Sequence, residues 1–271
     1  MKLKSAFWLA CAAVLCLSAG VGAVFTNGDF ESGTPGSVPP GWTVSSFLNT
    51  VGVTVQTPQT LAGLNLSPGG VVTTFILNSP VGPLSEPDPY LGNAASLRWP
   101  RYGHQTVIVN ANSSDSFGRG QNANALSQTM TIGAGDVDPA DGQAHIRFVF
   151  APVLENGKHS SAEQSYYFIQ LTNVTQSTIL YTNFGAALAA GAAPPPPWKA
   201  ISTTISGAET EVDYMDWQRV DVARGSPAIN VGDRVTLQII ASGCQPGGHV
   251  GYVLVDAPMT TTFRAIRRGV P

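Results

Sequence analysis

RVTLQIIASGCQPGGHVGYVLVDAPM, residues 234 to 259, holds two β-branched, apolar runs, RVTLQIIAS and YVLVDAPM, separated by a stretch of glycine, proline and small polar residues. Short apolar runs bounded by such punctuation read as buried strands, and Gly247-Gly248 supplies the backbone freedom of a tight turn between them. Gly251 then allows close backbone approach on the second strand, where Tyr252 packs with a hydroxyl that needs a partner. The same grammar recurs along the chain. Strands are expected at VTVQT (53 to 57), VVTTFIL (71 to 77), QTVIVN (105 to 110), ALSQTMTI (125 to 132), HIRFVFAPVL (145 to 154), YYFIQLTNV (166 to 174), TILYTN (178 to 183) and QRVDVA (218 to 223). No stretch of a dozen residues carries a capped helical stripe, and Ala186 to Ala193 is broken by Gly185, Gly191 and the prolines 194 to 197. Many short strands with frequent turns predict an all-β antiparallel sandwich, most simply a jelly roll.

The first residues, MKLKSAFWLACAAVLCLSAGVGAVF, combine a basic start at Lys2 and Lys4, an apolar stretch and the small-residue site Val21-Gly22-Ala23. They read as a secretory signal over 1 to 23, too short and too poorly flanked for a membrane anchor. Removing them leaves about 248 residues with 12 basic side chains against 17 acidic ones and Cys244 as the one remaining cysteine. No intramolecular disulfide is then available, and the negative balance argues against nucleic acid as a partner. Charged residues make up 11% of the chain, well below the roughly one quarter of an average soluble domain, so the surface is polar but uncharged, as suits an extracellular β-protein. The location expected is secreted, cell-surface or periplasmic. One domain is expected over 24 to 262, with a Pro/Ala-rich loop near 185 to 198 and a basic tail, RAIRRGVP, at its end.

FTNGDFESGTPGSVPPGW (25 to 42) resembles the opening of galactose-binding-like β-sandwich domains, among them carbohydrate-binding modules. LGNAASLRW (91 to 99), ALSQTMTI, VLENGKHSSAEQSYYFIQL (153 to 171), DWQRVDV (216 to 222) and GCQPGGHVGYVLVD (243 to 256) follow in the matching order. The last three together are similar to a domain of large bacterial cell-surface, adhesin-like proteins. One departure is that the closing strand reads VDAP where many relatives show paired aspartates. The resemblance implies a jelly roll, a binding or adhesive role without turnover, and a structural calcium ion joining the first and last strands. Calcium takes six to eight oxygen ligands, and Asn27, Asp29, Glu31 and Asp256 are the residues that would supply some of them if the chain's two ends meet.

Trp99 and Tyr102 in RWPRYGH, Trp198 after the prolines, and Tyr214 with Trp217 are the candidate sugar-stacking residues, since pyranose faces stack on aromatic rings while amides and carboxylates read hydroxyls. The partner expected is a glycan or cell-surface component. Cys244, His249 and His159 carry groups that ligate zinc, but a site needs three or four ligands and Cys-x4-His is not a finger spacing. They are read instead, with Glu163 and Gln164, as a structural polar cluster. No serine elbow, His-Glu-x-x-His motif or phosphate loop occurs. The carboxylates Asp136, Asp138, Asp141, Glu209, Glu211, Asp213 and Asp216 sit in loop-like surroundings. A purely structural extracellular protein and a hydrolase are the alternatives to a binding module.

Overall fold

The structure is a computed structural model, described over residues 25–53, 60–111, 121–188, 195–204, 209–223 and 229–258, without the side chains of 204, 209 and 210. The expected signal sequence, most of VTVQT and the basic tail lie outside the described residues. Among the described residues, twelve strands of four residues or more follow one another: β1 (Thr43–Leu48), β2 (Phe75–Asn78), β3 (Gln105–Val109), β4 (Asn122–Thr131), β5 (Ile146–Asn156), β6 (Tyr166–Asn173), β7 (Thr178–Ala186), β8 (Lys199–Thr204), β9 (Glu209–Tyr214), β10 (Gln218–Val222), β11 (Arg234–Ser242) and β12 (Gly251–Asp256). One sheet runs β7-β6-β11-β4-β1, with Ser67–Pro68 at its edge; the other runs β8-β9-β5-β12-β3-β2, with β10 also on β5. Pairing between these strands is antiparallel throughout. The chain changes sheet repeatedly, at β1–β2, β3–β4, β4–β5, β5–β6, β7–β8, β10–β11 and β11–β12, giving the jelly-roll sandwich expected from the sequence.

Side chains alternate between faces along each strand. Ile146, Phe148, Phe150 and Leu154 of β5, with Val253 and Val255 of the neighbouring β12, join Val235, Leu237, Ile239 and Ala241 of β11 in the core between the sheets. The opposite face is not left to water. Ala151, Val153, Tyr252 and Leu254 pack under Leu91, Ala95, Leu97 and Trp99, so the loop of residues 84–100 forms a second apolar layer. Tyr166, Phe168, Ala125 and Ile240 are covered in the same way by Val53 and Leu64. Burial on both faces is why β5 and β12 read as continuous apolar runs and not as alternating ones.

Three strands escaped the sequence reading. TVSSFL, KAISTT and ETEVDY are rich in serine, threonine and carboxylates, and their pairing is decided by their neighbours. Glu209, Glu211 and Asp213 therefore belong to β9 and not to a loop, which corrects their expected surroundings. Strand 71 to 77 begins only at Phe75. The residues before it are held by side chains instead of a backbone ladder: Val71 and Thr73 donate their N–H groups to Asn122 Oδ1 (2.8 Å) and Asn124 Oδ1 (2.7 Å). Pro152 lies mid-strand, where a missing N–H is usually disruptive. Its carbonyl accepts Met215 N–H at 3.1 Å, between the segments of β5 that pair with β9 and β10, so the proline faces the break between those two strands.

Candidate functional site

The first and last described segments meet through residues 101 to 105. Glu31 Oε1 accepts the N–H groups of His104 (2.6 Å) and Gln105 (2.8 Å), and Asp256 Oδ2 accepts those of Arg101 and Tyr102, both at 2.9 Å. Asp256 closes β12 and is fully buried, and its Oδ1 has no hydrogen-bond partner. Burial pushes its carboxyl well above the ordinary range against the pull of its backbone donors, and the negative charge of Glu31 adds to the rise. An orphaned, buried carboxylate oxygen in the field of a second carboxylate suits a hard divalent cation. Of the four residues expected to ligate calcium, Glu31 and Asp256 are brought to one segment, residues 101 to 105. Asn27 does other work: its amide accepts Ser32 N–H at 2.9 Å and donates to Ser32 O at 2.8 Å, closing the turn in which its own φ is +49°. Asp29 Oδ1 takes Glu31 N–H at 3.4 Å.

The five aromatic candidates divide by burial. Trp99 and Tyr214 are 8% and 4% exposed, which leaves neither ring a free stacking face. Trp99 Nε1 donates to Pro87 O at 2.7 Å, anchoring the 84–100 loop, and the Tyr214 hydroxyl meets Ser96 Oγ at 3.3 Å. Trp198 is half-buried against Tyr167, with ring centroids 6.1 Å apart. Tyr102 is half-buried with the Arg101 guanidinium 5.6 Å from its ring centre.

Trp217 has the richest surroundings. It is half-buried beside the second apolar layer, and its Nε1 donates to Arg98 O at 2.8 Å, which fixes the indole while part of it stays open to solvent. Arg98, which holds the indole, and Asp216, its neighbour in the chain, belong to polar networks drawn from three segments. Lys199 Nζ bonds Asp216 (2.5 Å) and Ser96 Oγ (2.8 Å), Ser96 Oγ donates to Asp216 Oδ1 (3.2 Å), and Arg98 reaches Asn93 Oδ1 (3.2 Å). Lys199 and Asp216 side chains are 42% and 50% exposed. Sequence reasoning named the tryptophan but assigned no role to Asn93, Ser96, Arg98 or Lys199, because the contacts of Ser96 with Asp216 and Lys199, and of Trp217 with Arg98, span more than a hundred residues and nothing local marks them.

At another end of the molecule His159, Cys244 and His249 come together. His159 Nε2 lies 3.1 Å from His249 Nδ1, and Cys244 Sγ lies 3.4 Å from the same nitrogen. Burial raises the Cys244 thiol pKa and lowers that of His249, so neither ionises readily alone. Gln164 and Glu163 hold the His159 loop: Gln164 Nε2 donates to His159 O and Asn156 Oδ1, both at 3.2 Å, and Glu163 Oε2 accepts Ser160 Oγ at 2.6 Å.

No protein-family model matches the sequence, and no curated protein matches it. Among solved structures the chain is similar to the enzymatically active domain of tailspike protein 4 of bacteriophage CBA120, at 10% identity and TM-score 0.34 over 86% of this chain and 20% of that one. It is also similar to TmCBM61, solved in complex with beta-1,4-galactotriose, at 10% identity and TM-score 0.33 over 87% and 94% of the two chains. A third similarity is to Caldicellulosiruptor saccharolyticus CBM27-1, solved in complex with mannohexaose, at 12% identity and TM-score 0.23 over 69% and 96%. The chain thus spans about a fifth of the tailspike chain. Carbohydrate-binding modules recur among these neighbours. Among the described residues no helix is long and apolar enough to cross a membrane.

Proposed function

We propose that this chain is an exported, non-catalytic β-sandwich that binds carbohydrate, acting where it contacts a glycan or another component of a cell surface. The observation that carries the reading is Trp217, a half-buried indole pinned by its own N–H to Arg98 O and preceded in the chain by Asp216, which Ser96 and Lys199 engage, while Arg98 reaches Asn93. Polar groups joined in this way to the residues that hold the indole offer donors and acceptors for sugar hydroxyls, and the ring offers the apolar face that a pyranose stacks on. The reading without turnover is supported by how the carboxylates are engaged. Asp216 is paired with Lys199, Asp213 Oδ2 accepts Leu188 N–H at 2.8 Å, and Arg147 contacts both Asp138 and Asp221.

In this reading Glu31 and Asp256 hold a structural calcium ion. The ion would supply positive charge at the seam between the first and last segments, where the chain itself provides two carboxylates and four backbone donors.

A glycan array followed by affinity electrophoresis tests the carbohydrate assignment. Wild-type protein should be retained by at least one polysaccharide, and Trp217→Ala should lose most of that retention with its melting temperature little changed. Folded wild-type protein that binds no glycan would overturn the reading and leave a purely structural extracellular role. Turnover of a carbohydrate or ester substrate would overturn the non-catalytic part.

A further inference from the structure

The loop that leaves β5 carries His159, and the loop joining β11 to β12 carries Cys244 and His249; the donor atoms of all three residues lie within 4.8 Å of one another. Tetrahedral zinc with Zn–N near 2.05 Å and Zn–S near 2.3 Å places two nitrogen ligands about 3.3 Å apart and a nitrogen and a sulfur about 3.6 Å apart. The separations here, 3.1 Å for His159 Nε2 to His249 Nδ1 and 3.4 Å for Cys244 Sγ to His249 Nδ1, agree to within about 0.2 Å. We propose that His159, Cys244 and His249 form a zinc-binding site that staples these two loops, with Cys244 Sγ, His249 Nδ1 and His159 Nε2 as ligands and the fourth position facing solvent between the two half-exposed imidazoles.

Three features beyond the ligand set favour an ion over a hydrogen-bonded triad. The first is charge: Glu155 is fully buried next to Cys244 and His249, its Oε2 accepting Val250 N–H at 2.9 Å. A thiolate and a carboxylate in one buried pocket repel, whereas the same two charges neutralise a divalent cation. The second is space, because a Cβ on Gly157 would lie 2.5 Å from His249 Nδ1 and 2.6 Å from His159 Nε2, so the residue between the imidazoles has no side chain. The third is positioning. The Cys244 loop is closed on itself by Cys244 N–H to His249 O at 3.0 Å, and is tied to the His159 loop by Gln245 N–H to Glu163 O at 2.8 Å. Both loops therefore hold their ligands in place before any ion arrives. Cys244 has no disulfide partner among the described residues, so a metal clip is the cross-link open to this end of the sandwich.

Cobalt titration of the chelator-stripped full chain tests the proposal. Wild-type protein should take up one equivalent of Co²⁺ with a thiolate-to-cobalt charge-transfer band and the strong d–d bands of tetrahedral coordination, and Zn²⁺ should displace it. Cys244→Ser should abolish the charge-transfer band. His159→Gln should weaken binding at least tenfold, and Gly157→Ala should do so without removing a ligand. If Cys244→Ser fails to fold, the half-exposed His159 variant carries the comparison. Calcium should not compete, and Asp256→Asn should keep the cobalt spectrum, which separates this site from the seam. Folded wild-type protein that takes up no Co²⁺, or a charge-transfer band that survives Cys244→Ser, would overturn the assignment and leave a hydrogen-bonded triad.

Discussion

Replacing Asp256 by asparagine sets two effects of one buried carboxylate against each other. Asparagine can keep an oxygen toward Arg101 N–H and Tyr102 N–H, so the turn it caps survives. In chelator, the wild-type carboxyl has its pKa raised in the folded state above the unfolded value, chiefly by burial. A group shifted in that direction contributes stability that is whole below about pH 4 and is lost as pH rises toward the folded pKa. Wild-type stability, measured relative to the variant, should therefore fall by up to about 1.4 kcal/mol per pH unit across that interval, and the chelated variant should be the more stable at neutral pH. Calcium works in the opposite direction. An ion at a hundred times its Kd adds about 2.7 kcal/mol to the wild type, which for a domain of this size is roughly 5 to 10 °C in Tm. Urea unfolding from pH 4 to 8, with and without calcium, reads both effects. A pH-independent difference between wild type and variant in chelator, or an equal calcium response in the two, would refute the reasoning.

The Tyr252 hydroxyl donates to Asp88 Oδ1 at 2.5 Å in a buried site, so Tyr252→Phe should cost about 1.5 to 3 kcal/mol in urea unfolding, while Asp88 keeps the N–H groups of Tyr90 and Leu91. Burial would raise the pKa of Asp221, but its hydrogen bond from His145 and the charge of Arg147 outweigh that and hold it below the usual range. Its contribution is present above the unfolded pKa and is lost as pH falls below about 4. Asp221→Asn should thus cost roughly 1 to 3 kcal/mol at pH 7 and progressively less in acid, as followed by thermal melts. Gly251→Ala should destabilise by about 1 to 3 kcal/mol, because the added methyl would press on Ser242 O and sit 3.0 Å from Leu154 Cδ2; an unchanged melt would mean that β11 and β12 give way there.

The strands that were legible in the sequence are those whose apolar content comes from their own residues. β11 and β12 stand out because Val235, Leu237, Ile239, Val253, Leu254 and Val255 are buried wherever the sandwich closes. β9 is hidden because Glu211 and Asp213 mimic a solvated loop, and only backbone pairing with β5 and β8 places them in a sheet. The aromatic candidates show the same limit. Nothing in RWPRYGH separates Trp99, which anchors a loop over Tyr252 and Leu254, from an exposed platform. Trp217 and the polar networks of Arg98 and Asp216 become visible together only when residues 93 to 98, 199 and 216 are folded onto one another.

Read alone, GCQPGGHVGY offered one thiol and one imidazole at a spacing that matches no metal motif, and packing was the simpler account. Chain order could say that a glycine turn feeds a buried closing strand, because φ freedom and apolar runs are local properties, and the turn is there with Gly247 and Gly248 at φ +90° and +98°. It could not say that His159, 85 residues before Cys244, would arrive beside His249, or that Glu31 and Asp256 would bind neighbouring backbone amides. Local sequence determined the all-β class, the turns and most of the strands, since those follow from propensity and periodicity. Which side chains share a site was decided by the alternation of the chain between two sheets, which brings distant loops to the same end of the sandwich.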